Sequence, residues 1–257
     1  MALMAEPCNL GTKGVLVTRP AGQAAGLCRL IEEAGGRAIA FPTIEILPVV
    51  DPGSARRLLA EQWDLLIFVS GNAVGQALPL FPGTRLPSEP ELAAVGTATA
   101  AALAAAGRGP DLMPDGRFDS ESLLALPQVA DMRGKRVVIV RGEGGRPLLG
   151  DTLAARGAQV AYAEVYRRVL PRGDARALVA RWSQDVQLVT ATSGEVLDNL
   201  LTLVGTTGRG QLLATPLVVV SERTAATSKA LGFSRVEVAD RVSDGAVLAA
   251  LCRAARS

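Results

Sequence analysis

The stretch GVLVTRPAGQAAGLCRLIEEAGGRAIAFPTIEI (residues 14–46) has the same pattern as RVVIVRGEGGRPLLGDTLAARGAQVAYAEVYRR (residues 136–168). Each starts with a short β-branched run and continues through an arginine-containing glycine-rich turn. An amphipathic segment that ends at glycine and a second apolar run follow. Arg19 aligns with Arg141 at an offset of 122 residues. A strand–helix–strand pattern that occurs twice predicts two similar α/β units.

The repeat continues along the rest of the chain in the same order. Ser70 aligns with Ser193, and Thr99 aligns with Thr224. Four recurring segments at nearly constant spacing are a poor fit to coincidence. The three further pairs are WDLLIFVSGNAV (63–74) with VQLVTATSGEVL (186–197), LAAVGTATAAAL (92–103) with VVVSERTAATSKAL (218–231), and FDSESLLAL (118–126) with RVSDGAVLAAL (241–251).

The strands and helices of each unit are well marked. The runs VVIV, LLIFV and LVVV are near-continuous apolar segments, which is typical of parallel strands that helices cover on both faces. The amphipathic segments end at Gly35-Gly36 and at Gly157, and glycine there is a common helix C-terminal signal. The pattern therefore predicts two similar doubly wound α/β units, each with a parallel sheet.

The composition excludes several classes of function. The chain has 257 residues, 27 basic and 25 acidic side chains, a net charge of +2 and only 4 % aromatic residues, which argues against a nucleic-acid-binding protein. Histidine is absent. Its absence excludes Ser-His and Cys-His nucleophile pairs and the common zinc sites.

The cysteines and the chain start predict the compartment. Cys8, Cys28 and Cys252 are odd in number and show no CxxC spacing, which predicts reduced thiols and no metal site. The opening MALMAEPCNLGTKG lacks the apolar core of a signal peptide, and no apolar run reaches the ~18 residues of a membrane span. We expect a soluble, cytoplasmic protein.

Two segments at equivalent positions of the repeat are candidates for the boundaries between the domains. FPTIEILPV (41–49) and EVYRRVLPR (164–172) are extended by β-branched residues and closed by Pro48 and Pro171. They could pair as linkers, or the chain could split into tandem domains near residue 130, and periodicity alone favours the tandem split. With paired linkers, domain one comprises residues 1–42 plus 171–257, domain two comprises residues 47–166, and the linkers span about residues 43–46 and 167–170.

The ordered motifs resemble those of the uroporphyrinogen-III synthase family over essentially the whole chain, from Gly14 to about Leu251. They are VTRP (17–20), FPTIEI (41–46), FVSGNAV (68–74), AVGTATA (94–100), VRGEGGRPLL (140–149), VYRR (165–168) and ATSGEVLDNL (191–200). The resemblance implies two flavodoxin-like domains, a two-stranded linker with the discontinuous connectivity above, and an open cleft between the domains.

The resemblance also implies the chemistry. The family cyclises hydroxymethylbilane with inversion of ring D and uses no cofactor. We therefore expect that substrate, with the upstream hydroxymethylbilane synthase as a candidate protein partner, no nucleic acid, no membrane, and a monomer. The GEGGR turn (142–146) matches neither GxGxxG nor GxxxxGK[ST], so its anions would be carboxylates, not phosphates.

Tyr166 is the predicted catalytic residue. By resemblance, the tyrosine of VYRR faces the cleft and hydrogen-bonds the departing hydroxyl; the alternative is a tyrosine that braces the linker. The family often has threonine where this chain has Arg168, which weakens any argument from that neighbour.

The predicted substrate-binding residues are hydroxyls, an amide and arginines. For the hydroxyls the alternative role is a helix N-terminal cap. For the arginines, whose guanidinium groups suit carboxylates, the alternative is a solvated loop edge. The residues are Ser70, Asn72, Thr99, Ser193, Thr224, Arg19, Arg141 and Arg146.

The sequence pattern leaves two other functional classes to consider. A non-catalytic two-lobed protein that binds a small polyanionic ligand suits the same architecture, but such proteins usually carry an export signal. A nucleotide-dependent transferase would need a phosphate motif or metal carboxylates, and neither is present in the sequence. The sequence favours the synthase.

Overall fold

A computed structural model describes residues 8–116 and 118–256. Residues 1–7, the start of the predicted first domain, lie outside the described residues. The chain divides into two compact units. The first unit comprises Met1–Glu45 and Val169–Ser257, and the second comprises Ile46–Arg168.

Strands and helices alternate through both units. The strands are β1 (Gly14–Val17), β2 (Arg37–Ala40), β3 (Glu45–Pro48), β4 (Leu65–Phe68), β5 (Glu91–Ala94), β6 (Arg136–Gly142), β7 (Gln159–Val169), β8 (Leu188–Ala191), β9 (Leu217–Val219) and β10 (Val236–Val238). The helices are α1 (Ala21–Glu33), α2 (Gly53–Leu59), α3 (Gly71–Ala77), α4 (Thr97–Ala105), α5 (Ser120–Leu124), α6 (Leu148–Ala155), α7 (Arg176–Ala180), α8 (Trp182–Asp185), α9 (Gly194–Ala214), α10 (Glu222–Leu231) and α11 (Asp244–Arg256).

The first unit is built on a five-stranded sheet in the order β10-β9-β8-β1-β2. All four of its pairings are parallel. On one face, Val15 of β1 packs with Leu27 of α1 and Leu251 of α11. The neighbouring Leu16 is also fully buried, and successive strand residues point to opposite faces, so this sheet is covered on both sides.

The second unit is built on a sheet in the order β3-β7-β6-β4-β5. The pairings of β4 with β5, β4 with β6, and β6 with β7 are parallel. Leu66 of β4 packs with Val74 of α3, while the adjacent Ile67 packs in a separate cluster with Leu153 of α6. Both faces of this sheet therefore carry helices, as the apolar strand runs predicted.

The internal repeat is visible in the topology. The order β9-β8-β1-β2 in the first unit matches β5-β4-β6-β7 in the second, and these are the strands that the sequence alignment pairs. At the outer edge, β10 pairs with β9, and a single parallel bridge from Leu112 to Ala93 of β5 takes the equivalent place. The α/β architecture with parallel sheets is confirmed.

The predicted helix ends are also confirmed. α1 ends just before Gly35, whose φ is 79°, and α6 ends just before Gly157, whose φ is 94°. Glycine adopts this left-handed backbone without a Cβ clash and so closes the helix.

The cysteine prediction is wrong for two of the three residues. Cys8 and Cys252 form a disulfide, with their Cα atoms 5.7 Å apart, while Cys28 is a free thiol. Sequence spacing could not show this pairing, because it depends on the packing of the segment around Cys8 against α11. Burial, followed by the charge of Glu32, raises the pKa of the Cys28 thiol.

Within the described residues, none of the helices has the length and apolar character that crossing a membrane requires.

Candidate active site

The carboxyl ends of β4, β5, β6 and β7 meet at one edge of the second sheet, because these strands are parallel neighbours. Ligands of open α/β sheets bind at this edge. The chain leaves β4 into α3 at Ser70, leaves β5 into α4 at Gly96, and leaves β6 into the GEGGR turn (142–146). Six of the nine predicted site residues belong to this unit.

Tyr166 lies at this edge, where it is opposite Gly142 at the end of β6. Its Oη atom lies 3.2 Å from Ser70 Oγ, and either hydroxyl can donate. The residue is only 4 % exposed, and its main-chain oxygen accepts a hydrogen bond from Glu143 N at 2.8 Å. The structure therefore brings the predicted catalytic tyrosine and one predicted binding serine together.

Gly142 makes room for the tyrosine ring. A Cβ atom on residue 142 would lie 2.6 Å from Cε2 and 2.7 Å from Cζ of Tyr166, which is closer than real carbon atoms pack. Only glycine lets the ring lie against the end of β6 in this position. Gly142, the first residue of the GEGGR turn, thus leaves the space that the Tyr166 ring occupies.

Ser70 and Ser193 both act as helix N-terminal caps. Ser70 Oγ accepts a hydrogen bond from Ala73 N at 3.1 Å, and Ser193 Oγ accepts one from Val196 N at 3.3 Å. The capping alternative is therefore confirmed for both. For Ser70 the cap also holds the hydroxyl that contacts Tyr166, so the two roles coexist.

Thr99 and Thr224 are not caps. The caps are Gly96 and Ser221, and each threonine lies three residues later, in the first turn of its helix. Thr224 Oγ1 lies 2.9 Å from Ser221 Oγ, while only the main-chain N of Thr99 bonds Gly96 O, at 3.0 Å. The capping alternative is wrong here because both helices begin earlier than the alanine-rich pattern indicated.

Arg141 is held by its own turn. Its Nη2 lies 3.0 Å from Glu164 Oε1, its Nη1 donates to Gly145 O at 3.0 Å, and its guanidinium carbon lies 3.9 Å from the centre of the Tyr162 ring. The side chain is only 14 % exposed. A substrate carboxylate would have to compete with Glu164 for this arginine.

The other two predicted arginines are also paired. Arg146 Nη1 lies 3.2 Å from Glu121 Oε1, and the Arg146 side chain is 62 % exposed. In the first unit, Arg19 pairs with Asp244 at the start of α11 and is 13 % exposed. These pairs neutralise carboxylates that would otherwise repel an anionic ligand.

Asn72 lies in the first turn of α3, two residues after the Ser70 cap, and is half-buried. In the described parts of the chain, no three His, Cys, Asp or Glu side chains are grouped so that they could hold a metal ion.

Comparison with known proteins identifies the family. The profile of "Uroporphyrinogen-III synthase HemD" matches residues 26–249. The uroporphyrinogen-III synthase of Escherichia coli (strain K12) is 38 % identical over 247 residues, which cover 92 % of this chain and 99 % of that protein. The chain belongs to the uroporphyrinogen-III synthase family.

Other members of the uroporphyrinogen-III synthase family are also similar to this chain. The Synechococcus elongatus enzyme is 30 % identical over 259 residues, which cover 96 % of this chain and 97 % of that protein. The crystal structure of a mutant uroporphyrinogen III synthase from Thermus thermophilus matches with a TM-score of 0.62 at 23 % identity over 95 % of this chain and 99 % of that one. That likeness supports the fold. Every predicted site residue except Arg19 lies inside the matched residues 26–249.

Sequence reasoning missed a polar network at the equivalent edge of the first unit. Thr18 Oγ1 donates to Thr190 O at 2.6 Å, Thr43 Oγ1 donates to Thr18 O at 3.3 Å, and Asn199 Nδ2 donates to Thr43 O at 2.9 Å. The motifs VTRP and FPTIEI contain Thr18 and Thr43. These uroporphyrinogen-III synthase motifs could therefore have pointed to the two threonines. The predicted site residues also do not include Arg167, which follows Tyr166 in β7.

Proposed function

We propose that this chain is a uroporphyrinogen-III synthase, which cyclises hydroxymethylbilane to uroporphyrinogen III with loss of water and inversion of ring D. The observation that carries the proposal is the 38 % identity to the Escherichia coli enzyme across 99 % of that protein. The contact between Tyr166 and Ser70 at the carboxyl edge of the second sheet supplies hydroxyls suited to this chemistry.

The reaction needs orientation more than strong acid–base catalysis. Hydroxymethylbilane loses water readily to give an electrophilic azafulvene, which closes unaided to the non-inverted isomer. The enzyme must instead direct the substituted carbon of ring D to attack, so that a spiro intermediate forms, fragments and recloses with ring D inverted. Placed hydrogen-bond donors and a shaped site suffice for such a task, and a chain without histidine can supply them.

Tyr166 is the proposed catalytic residue. Its hydroxyl would donate to the hydroxyl that leaves ring A, and Ser70 would hold the tyrosine hydroxyl in place from 3.2 Å. Because the Ser70 side chain is itself fixed by Ala73 N, this short chain of hydrogen bonds is preorganised.

The substrate carries eight carboxylates, and the remaining predicted residues are proposed to bind them. The side chains of Asn72, Thr99, Ser193 and Thr224 would donate hydrogen bonds. Arg19, Arg141 and Arg146 would bind carboxylates by exchanging their present partners Asp244, Glu164 and Glu121 for substrate. Such exchange is easiest for Arg146, whose pair is the most exposed of the three.

We also propose the finer architecture that the family implies. The strand order of the first unit, read as 2-1-3-4-5 in its own numbering, is the flavodoxin-like order. Residues 43–46 and 167–170 would serve as the two linkers between domains 1–42 plus 171–257 and 47–166. A cytoplasmic location, a monomeric state and contact with the upstream hydroxymethylbilane synthase remain predictions.

Isomer analysis tests the proposed function. Hydroxymethylbilane is generated in situ, the protein is added, the products are oxidised, and uroporphyrin III is separated from uroporphyrin I by chromatography. We expect mostly isomer III with the protein and isomer I in the protein-free control. Only isomer I from folded protein would overturn the proposal and favour the non-catalytic binding protein.

A further inference from the structure

Arg167 follows Tyr166 directly in β7, and its side chain is unusual in this structure. Its Nε atom is buried and has no hydrogen-bond partner, the only such side-chain atom among the residues that the structure describes. The residue as a whole is partly exposed. No acidic side chain in the described part of the chain pairs with it.

A buried donor without an acceptor lowers the stability of the fold, and each such group calls for an explanation, of which a role in binding or catalysis is one. Removing the guanidinium partly from water also strips some of its hydration, which increases what it gains from a negative partner. The other arginines of this edge differ in this respect, since Arg141 is paired with Glu164 and Arg146 with Glu121. Arg167 is therefore a cation at this edge that lacks its counter-ion.

We propose that Arg167 binds a carboxylate of the linear tetrapyrrole substrate and so positions it against Tyr166. This inference rests on the proposed function. Nε and a terminal Nη of a guanidinium form a fork that matches the two oxygens of a carboxylate, and a rotation of the side chain that brings Nε to the surface on binding would satisfy this donor. Because adjacent strand residues point to opposite faces, Arg167 would anchor one part of the extended substrate on the face of β7 opposite to the Tyr166 ring, while another part of the same molecule reaches Tyr166.

The test compares Arg167→Gln and Arg167→Leu with Arg172→Gln. Arg172 is exposed, lies five residues further along and after the end of β7, and carries no ion pair among the described residues, so its variant removes one positive charge without touching the site. For each protein the KM and kcat of isomer III formation are measured at low and at raised NaCl, together with the thermal unfolding midpoint.

We expect both Arg167 variants to raise KM about tenfold or more and to change kcat much less, because the contact is made before and during the reaction. Their KM should also depend less on NaCl than that of the wild type. The unfolding midpoint of Arg167→Leu should equal or exceed that of the wild type, since the unpaired donor is gone. Arg172→Gln should match the wild type in KM.

A KM within about twofold of wild type in both Arg167 variants would overturn the inference. A midpoint several degrees lower in Arg167→Leu would also overturn it, because the side chain would then support the fold. A wild type that forms only isomer I overturns the proposed function first, and this inference with it.

Discussion

At the scale of single residues, the contact of Gly142 with the Tyr166 ring sets the geometry of the candidate active site. The ring fills the space that any Cβ at residue 142 would need, and this fixes its hydroxyl 3.2 Å from Ser70 Oγ. The stability of the second unit and the position of the proposed catalytic hydroxyl therefore depend on the same glycine.

Gly142→Ala should displace the Tyr166 ring. We expect the free energy of unfolding to fall by about 1–3 kcal/mol, as for other overpacked cores, and the rate of isomer III formation to fall with it. Urea unfolding and the isomer assay measure the two effects. The control is Gly75→Ala in α3, where a Cβ meets nothing within 4 Å and stability should be unchanged or higher. Equal stability of Gly142→Ala and Gly75→Ala would contradict the packing account.

Residue types and repeat spacing were enough to place Ser70 and Ser193 directly after apolar strands, at the edge of a parallel sheet where ligands bind, whereas Tyr166 was predicted from the family resemblance. They were not enough to find the partners of the arginines. Arg19 pairs with Asp244, which lies 225 positions along the chain, and only the folded chain brings two such residues together.

At the scale of elements, α9 is the helix whose course the sequence did not predict. It runs from Gly194 to Ala214 but is interrupted at Gly205, where φ is 62° and ψ is −169°. That backbone conformation is essentially restricted to glycine. The strand runs and the helix ends at Gly35 and Gly157 were predictable, because each depends on local chain chemistry. A break inside a helix depends on how its two halves pack.

Gly205→Ala should destabilise the first unit by about 1–3 kcal/mol. A Cβ at residue 205 would meet nothing within 4 Å, so the cost comes from the backbone alone. Gly210→Ala is the matched control in the same helix, with open space around it and no positive φ, and it should be neutral or stabilising. Urea unfolding midpoints compare the two. A Gly205→Ala protein as stable as the control would show that the helix tolerates a continuous course.

At the scale of the whole molecule, the repeat determines the architecture of each unit. Four strands have the same spatial order in both sheets, and the side chains that cap the following helices recur at Ser70 and Ser193. This level was predictable because apolar periodicity and strand order follow from the sequence pattern. The disulfide between Cys8 and Cys252 was not, because its two residues are separated by 244 positions and only tertiary packing joins them.

The chain contains two tyrosines, and they provide the most direct test of the catalytic assignment. Tyr166→Phe and Tyr162→Phe each remove one phenolic hydroxyl and keep the ring, and the Tyr162 hydroxyl lies against Gly150 of α6 rather than beside Ser70. The measurement is kcat for isomer III formation at saturating hydroxymethylbilane. We expect Tyr166→Phe to lose about tenfold or more in kcat, the worth of one placed hydrogen bond to the leaving hydroxyl, and Tyr162→Phe to stay within about twofold of wild type. Unchanged kcat in folded Tyr166→Phe would remove this hydroxyl from the mechanism and contradict the account.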